Sequence, residues 1–261
     1  MLTYVFFVIL FSNLLVGILL GMSSIGGFLL PLVYIGVLQF SVSTSLALSF
    51  MSFAVAGLIG SYFYWKSNDM DLKLATLLNI GSLPGALIGV QLNIWIPEHI
   101  AKLIMYIVIL LSALSLLINR QKREDAGGTH KVKRNLKESK SFAIVLGFIT
   151  AAICSLTGAG GPILVVPLLM FFGLNVRTAV GVGLLNSVII AIPAVFGYFH
   201  YSNIGDVSNP ISLISASLAG QVIGIFLGSH FSNKIKIAHL RVFISSITIL
   251  SAIYMIVAAL A

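Results

Sequence analysis

Charge is what this sequence has least of. Only 8% of its 261 residues are Asp, Glu, Lys or Arg and 59% are hydrophobic, where a soluble domain carries about 25% charged residues. No charge occurs before Lys66, and further uncharged runs cover Leu74–Pro97, Leu103–Asn119, Ser141–Val176, Thr178–Gly205, Val207–Asn233 and Val242–Ala261. A helix needs about 20 apolar residues to cross roughly 30 Å of hydrocarbon, so these runs hold several membrane spans. A soluble enzyme, a single-anchor protein and a nucleic-acid-binding domain are thereby excluded. The period-two alternation of a membrane β-barrel is missing too. Cys154 is the single cysteine, which excludes an internal disulfide framework and a Cys-rich metal site. No acidic or basic residue lies deep in a span, and HExxH, GxSxG and Walker motifs are absent. Intramembrane hydrolysis and ATP-driven pumping lose their usual machinery, and neither a catalytic residue nor a cofactor or metal is expected.

What charge there is concentrates in one place. The net charge is +8, and the stretch from Arg120 to Lys140 carries eight Lys or Arg against three acids. A loop facing anionic lipid on the cytoplasmic side accounts for this without nucleic acid. The N-terminal Met1–Gly21 lacks the positive n-region of a secretory signal and reads as a retained span.

That basic stretch divides the chain into halves, residues 1–119 and 141–261, with 120–140 as a cytoplasmic linker. Sliding one half over the other by 134 to 136 positions pairs Gly26-Gly27 with Gly160-Gly161, Pro31-Leu32 with Pro167-Leu168, Tyr62-Phe63-Tyr64 with Tyr198-Phe199-His200, Asp71 with Asp206, and Gly85 and Gly89 with Gly220 and Gly224. Such a match predicts an all-α polytopic membrane protein of two homologous repeats. Each repeat is a glycine-broken helical hairpin followed by three transmembrane helices. The first half reads as Leu2–Gly21, a break at Ser23–Gly27, Phe28–Leu38, then Val42–Trp65, Leu72–Ile94 and Ile100–Ile118. The second reads as Phe142–Leu156, a break at Thr157–Gly161, Pro162–Phe172, then Thr178–His200, Pro210–Phe231 and Leu240–Leu260. Lys66 and Lys73 flank a loop whose equivalent, Tyr201–Asn209, has no Lys or Arg; the next pair of loops reverses the bias, with Lys102 against Lys234, Lys236 and Arg241. Opposite bias at equivalent loops favours an inverted repeat over a parallel four-plus-four arrangement.

Non-helical backbone at membrane depth is tolerated only where it is buried in protein or lines a wet cavity. Glycine lets backbone approach a ligand, Pro162 suits the first turn of a helix, and a helix beginning there points bare N–H groups at the bundle centre, which favours an anion. The candidate substrate-binding set is therefore Ser23, Ser24, Gly26 and Gly27 from the first break and Thr157, Gly158, Ala159, Gly160 and Gly161 from the second, with the Ser24 and Thr157 hydroxyls as extra donors. Close helix packing is the competing use of such glycines. Asn186, within the small-residue run Gly181–Ser187, is a further candidate, and Asn79, Gln91 and Gln221 are weaker ones, since interhelical hydrogen bonding is the commoner use of such amides. His200, Tyr198, Arg177 and His230 fall near span ends, where interface anchoring is the usual role; His200 is singled out as a coupling residue because imidazole titrates near neutral pH. Cys154 could line the site or sit in the core.

The stretch GAGGPILVVPLL at Gly158–Leu169, its copy IGGFLLPL at Ile25–Leu32, the duplicated unit and the Gly197-Tyr198-Phe199-His200 run together resemble the TauE/SafE, or sulfite exporter, family of permeases over essentially the whole chain. The first copy departs in having Ser23-Ser24 and no Val before Pro31. The resemblance implies a multi-pass transporter of the inner membrane for small sulfur-containing anions such as sulfite, sulfoacetate or other organosulfonates. Expected partners are that anion and membrane lipids, and the chain could pair as a homodimer. A flippase or intramembrane enzyme acting on a phosphorylated lipid, and an anion channel, remain open as alternatives.

Overall fold

A computed structural model describes residues 2–23, 26–124, 140–202, 209–231 and 237–260. Among these there are ten helices and no strand: α1 Leu2–Ser23, α2 Leu29–Gly36, α3 Val42–Lys66, α4 Leu72–Trp95, α5 Glu98–Glu124, α6 Lys140–Thr157, α7 Gly161–Phe171, α8 Val176–Tyr201, α9 Pro210–Phe231 and α10 Ile237–Leu260. The all-helical polytopic architecture read from the sequence is thus the one observed. Six of these helices are long and apolar enough to cross a membrane, and this is a multi-pass membrane protein. The linker expected at 120–140 begins later, because α5 continues to Glu124 and α6 already starts at Lys140; the remainder of that stretch lies outside the described residues, as does Asp206.

The helix starts follow capping rules. Ser41 caps α3 by accepting from the Thr44 N–H at 3.3 Å, and Asn175, its counterpart in the second half, caps α8 by accepting from the Thr178 N–H at 2.8 Å. Asp71 does the same for α4 through the Leu74 N–H at 3.1 Å.

Helices are held together where glycine lets backbones touch. On α1, Gly17 faces the backbone of Gln221 and Gly224 of α9, and Gly21 faces Ile225 and Ser229, so the two helices advance in the same sense. On α4, Gly81 faces Ile144 and Phe148 of α6, and Gly89 faces Ala152 and Ser155, again in the same sense. The fourth helix of each half, α4 or α9, therefore packs on the other half's first helix. A Cβ added at Gly85 would lie 2.2 Å from the Phe148 carbonyl oxygen, and one at Gly224 would lie 2.4 Å from that of Leu14; these two belong to the matched glycine pairs. Without a hydrophobic drive between helices in lipid, such close approach and its dispersion contacts are the main source of association. The equivalent helices α3 and α8 cross in opposite senses: Gly57 faces Leu184 and Val188, whereas Gly181 faces Tyr64. The Arg177–Asp69 ion pair at 3.3 Å fastens the start of α8 to the loop after α3, as that sense requires.

Two buried polar clusters flank the crossing. Ser52 of α3 donates to Asn13 Oδ1 of α1 at 2.7 Å and lies 2.9 Å from Ser217 of α9. In the second cluster Asn186 of α8 donates to Asn79 Oδ1 at 2.9 Å and to Ser82 Oγ at 2.6 Å, both of α4. Outward faces carry exposed Phe7, Phe11, Leu58, Ile88, Phe196 and Tyr254, the surface that a lipid environment demands.

Candidate functional site: the paired glycine breaks

The second break is a meeting of two helix ends. Helix α6 stops at Thr157, Gly158 and Gly160 take φ of +66° and +75°, and α7 starts at Gly161 with Pro162 in its first turn. Both positive φ values lie where L side chains are rarely found, which is why the sequence needs glycine there. A helix end leaves four carbonyls without partners, and three of these receive protein donors. Cys154 O accepts from the Gly158 N–H at 2.8 Å, Ser155 O from the Tyr198 hydroxyl at 2.7 Å, and Leu156 O from Asn93 Nδ2 at 2.7 Å. The start of α7 receives no such treatment: no side chain caps it, and its N-cap is Gly160. Hydrogen bonding thus quenches the negative helix end and leaves the positive end bare, an arrangement suited to an anion.

The first break repeats part of this geometry. Gly26, the counterpart of Gly160, has φ +118°, and Phe28 precedes α2 with no side-chain cap. The Leu29 and Leu30 N–H groups turn back onto the carbonyls of Gly26 and Gly27, both at 3.0 Å. Helix α2 is shorter than its partner, eight residues against eleven. Between the breaks lies a cavity of about 20 Å³, bounded by Gly26, Gly27 and Phe28 on one side and Ala159, Gly160 and Pro162 on the other, with Phe53, Gly57, Leu184 and Ser187 from the crossing of α3 and α8. That is room for about one water. The Phe53 ring occupies the gap: a Cβ on Gly27 would lie 2.8 Å from it and one on Gly160 3.6 Å away.

With this geometry in view, the family model described as Sulfite exporter TauE/SafE matches residues 8–255. The chain belongs to the TauE/SafE family. Its relatives include the probable membrane transporter protein YjnA of Bacillus subtilis (strain 168), 24% identical over an alignment of 260 positions that covers 95% of this chain and 98% of that one. Another probable membrane transporter protein of the same organism, YdhB, is 23% identical over 84% of this chain and 87% of its own length. A probable membrane transporter protein of Methanocaldococcus jannaschii is 27% identical over 93% and 92% of the two chains. No solved structure matches. Family and relatives together support a membrane transporter.

Of the residues singled out in this TauE/SafE chain, Gly26, Gly27, Ala159 and Gly160 line the cavity. Gly161 sits behind it against Ser187, and Gly158 packs on Leu46 and Pro31. Thr157 is buried, with its hydroxyl donating to Ile153 O at 2.7 Å, so the hydroxyl at the cavity wall is that of Ser187 instead. Ser23 closes α1 with its side chain outside the described set, and Ser24 lies outside it altogether. Asn186, fully buried, spends its amide donors on α4, the interhelical use. His200 is exposed in the last turn of α8, edge-on to Tyr201 with ring centroids 4.9 Å apart, and is not among the residues lining the cavity. Cys154 is a core residue whose thiol reaches the Gly160 carbonyl at 3.5 Å, directly beneath the break.

Tyr198 corrects the sequence reading. Expected as an interface anchor near a span end, it is fully buried and stacked on Phe50 with centroids 6.0 Å apart and planes 8° from parallel. Its neighbours Phe196 and Tyr201 take the exposed positions. Phe53 and Ser187 line the cavity and Asn93 donates to the end of α6 beside it, and none of the three was singled out. An aromatic and a serine in an apolar run look like packing, and only Asn93, an amide near the end of a span, gave a signal.

Proposed function

We propose that this TauE/SafE protein is a secondary transporter or facilitator for a small sulfur-containing oxyanion, such as sulfite, sulfoacetate or another organosulfonate, held at the glycine breaks by backbone N–H groups and helix N-termini. The observation that carries this reading is the second break, where the carbonyl end of α6 is hydrogen-bonded and the N–H end of α7 is uncapped. Fixed backbone dipoles can meet a negative charge at the midplane without a lysine or arginine, and the cavity lining contains neither. Room for one water does not admit an oxyanion, so uptake requires Phe53 to turn out of the gap or the hairpins to part. Anion entry then needs a conformation other than the one described, as alternating access requires.

The antiparallel crossing of α3 and α8 supports inverted repeats, with residues 1–119 and 141–261 as the repeats and the basic linker on the cytoplasmic side of the inner membrane. The purified protein in liposomes, loaded with sulfite, thiosulfate, sulfate, sulfoacetate or chloride, tests the reading. Saturable flux of a sulfur oxyanion supports it. Unsaturable chloride current points to a channel, and lipid scrambling without anion flux to the flippase alternative; either result overturns it.

A further inference from the structure

We infer that Tyr198 and Asn93 are positioning residues that determine charge specificity: by occupying the Ser155 and Leu156 carbonyls in the last turn of α6, they make the second break a site for anions rather than cations. This inference rests on the reading of that break as the anion site. Two helix ends meet there within the three residues 158–160. Left bare, their partial charges of about +0.5 and −0.5 would largely cancel, and exposed carbonyls at a broken helix are what transporters use to hold a cation. The cancellation is lifted by two donors from separate helices, the Tyr198 hydroxyl of α8 on Ser155 O and the Asn93 amide of α4 on Leu156 O, both at 2.7 Å. Both side chains are buried, at 0% and 4% exposure, so water does not substitute for them. The Tyr198 ring is held by its stack on Phe50. Neither residue lines the cavity; each acts through the carbonyl that it occupies.

Among the described residues the first break has no such pair. The repeat places Tyr62 and Gly228 at the matching positions, and Tyr62 is 53% exposed while Gly228 has no side chain. The two breaks are therefore unequal, and the second is the one committed to negative charge.

The test uses the full chain in detergent with two probes of similar chemistry and different charge, sulfite held as its dianion at alkaline pH and monovalent methanesulfonate, titrated calorimetrically at that one pH. Tyr198→Phe keeps the ring and its stack while freeing Ser155 O. A helix-end interaction changes affinity about two- to fivefold per unit charge, so methanesulfonate should weaken by that factor and sulfite by about its square, four- to 25-fold. Asn93→Leu should act in the same direction through Leu156 O and stands in if the tyrosine variant does not fold. A merely structural role would weaken both probes equally. Equal losses, or unchanged affinities in a folded variant, overturn the inference and leave the anion site standing. Absence of anion binding by the unmodified protein overturns the site itself.

Discussion

Replacing Gly160 by alanine isolates backbone conformation from packing. Gly160 has φ +75° and ψ 141°, a combination in which an L side chain costs about 1–3 kcal/mol. Space is not the obstacle, because a Cβ there would find its nearest heavy atom, Phe53 Cε2, at an ordinary 3.6 Å. Alanine therefore has a reason to rotate the break into negative φ and nothing to collide with if it does not. Rotation re-aims the N–H groups at the start of α7, and binding must reverse it. The full strain then appears in the affinity, a loss of about 5- to 150-fold. The folded state escapes most of the cost by relaxing, so the melting temperature should hardly move. Gly161→Ala is the contrasting case, since its Cβ would lie 2.6 Å from Ser187 Oγ and 3.1 Å from the backbone of α8; it should lower the melting temperature. Calorimetric titration with sulfite beside a thermal melt separates the two. A Gly160→Ala protein that melts and binds as the parent does would refute the reasoning, because the backbone geometry of the break would then be irrelevant to the ligand.

Gly224→Leu should abolish the folded protein as judged by size-exclusion, since even its Cβ would lie 2.4 Å from the Leu14 carbonyl oxygen; a monodisperse, stable variant would show that α1 and α9 are not held as described. Phe53→Ala empties the gap between the breaks, and should lower the melting temperature while raising anion leak through proteoliposomes; unchanged leak would mean that the ring is not the barrier. Cysteines introduced at Ser67 and Ser202, which end the equivalent helices α3 and α8, should react with an impermeant thiol reagent from opposite sides of the membrane, and labelling from one side would exclude inverted repeats. His200→Gln should leave anion affinity unchanged, because the ring is exposed and not among the residues lining the cavity; a loss of affinity measured by calorimetry would place the imidazole among the ligands.

The breaks at Gly26 and Gly160 and the close helix contacts at Gly85 and Gly224 were legible because glycine is irreplaceable where φ is positive and where backbones touch. Helix starts were legible at Val42 and Leu72, which Ser41 and Asp71 cap, whereas the start capped by Asn175 was read two residues late, at Thr178 rather than Val176. Which face of a span turns inward was not legible. In water an amphipathic stripe would reveal it, but here the buried Ile9, Val16 and Leu20 and the exposed Phe7, Phe11 and Leu15 of α1 are equally apolar. Phe53 and Tyr198 were hidden for that reason. A sequence also does not display which helix end gives up its hydrogen bonds, so the carbonyl caps of α6 emerge only when α4 and α8 are folded against it.

Selenite, a heavier analogue of sulfite whose anomalous scattering locates it unambiguously, offers the most direct measurement of where the anion sits. Crystals of the protein grown with selenite should show one anomalous peak between the two breaks, within hydrogen-bonding reach of the backbone N–H groups at the start of α7 and beside Ser187, with Phe53 displaced. A peak elsewhere in the bundle, or no peak at concentrations that support transport, would contradict the account.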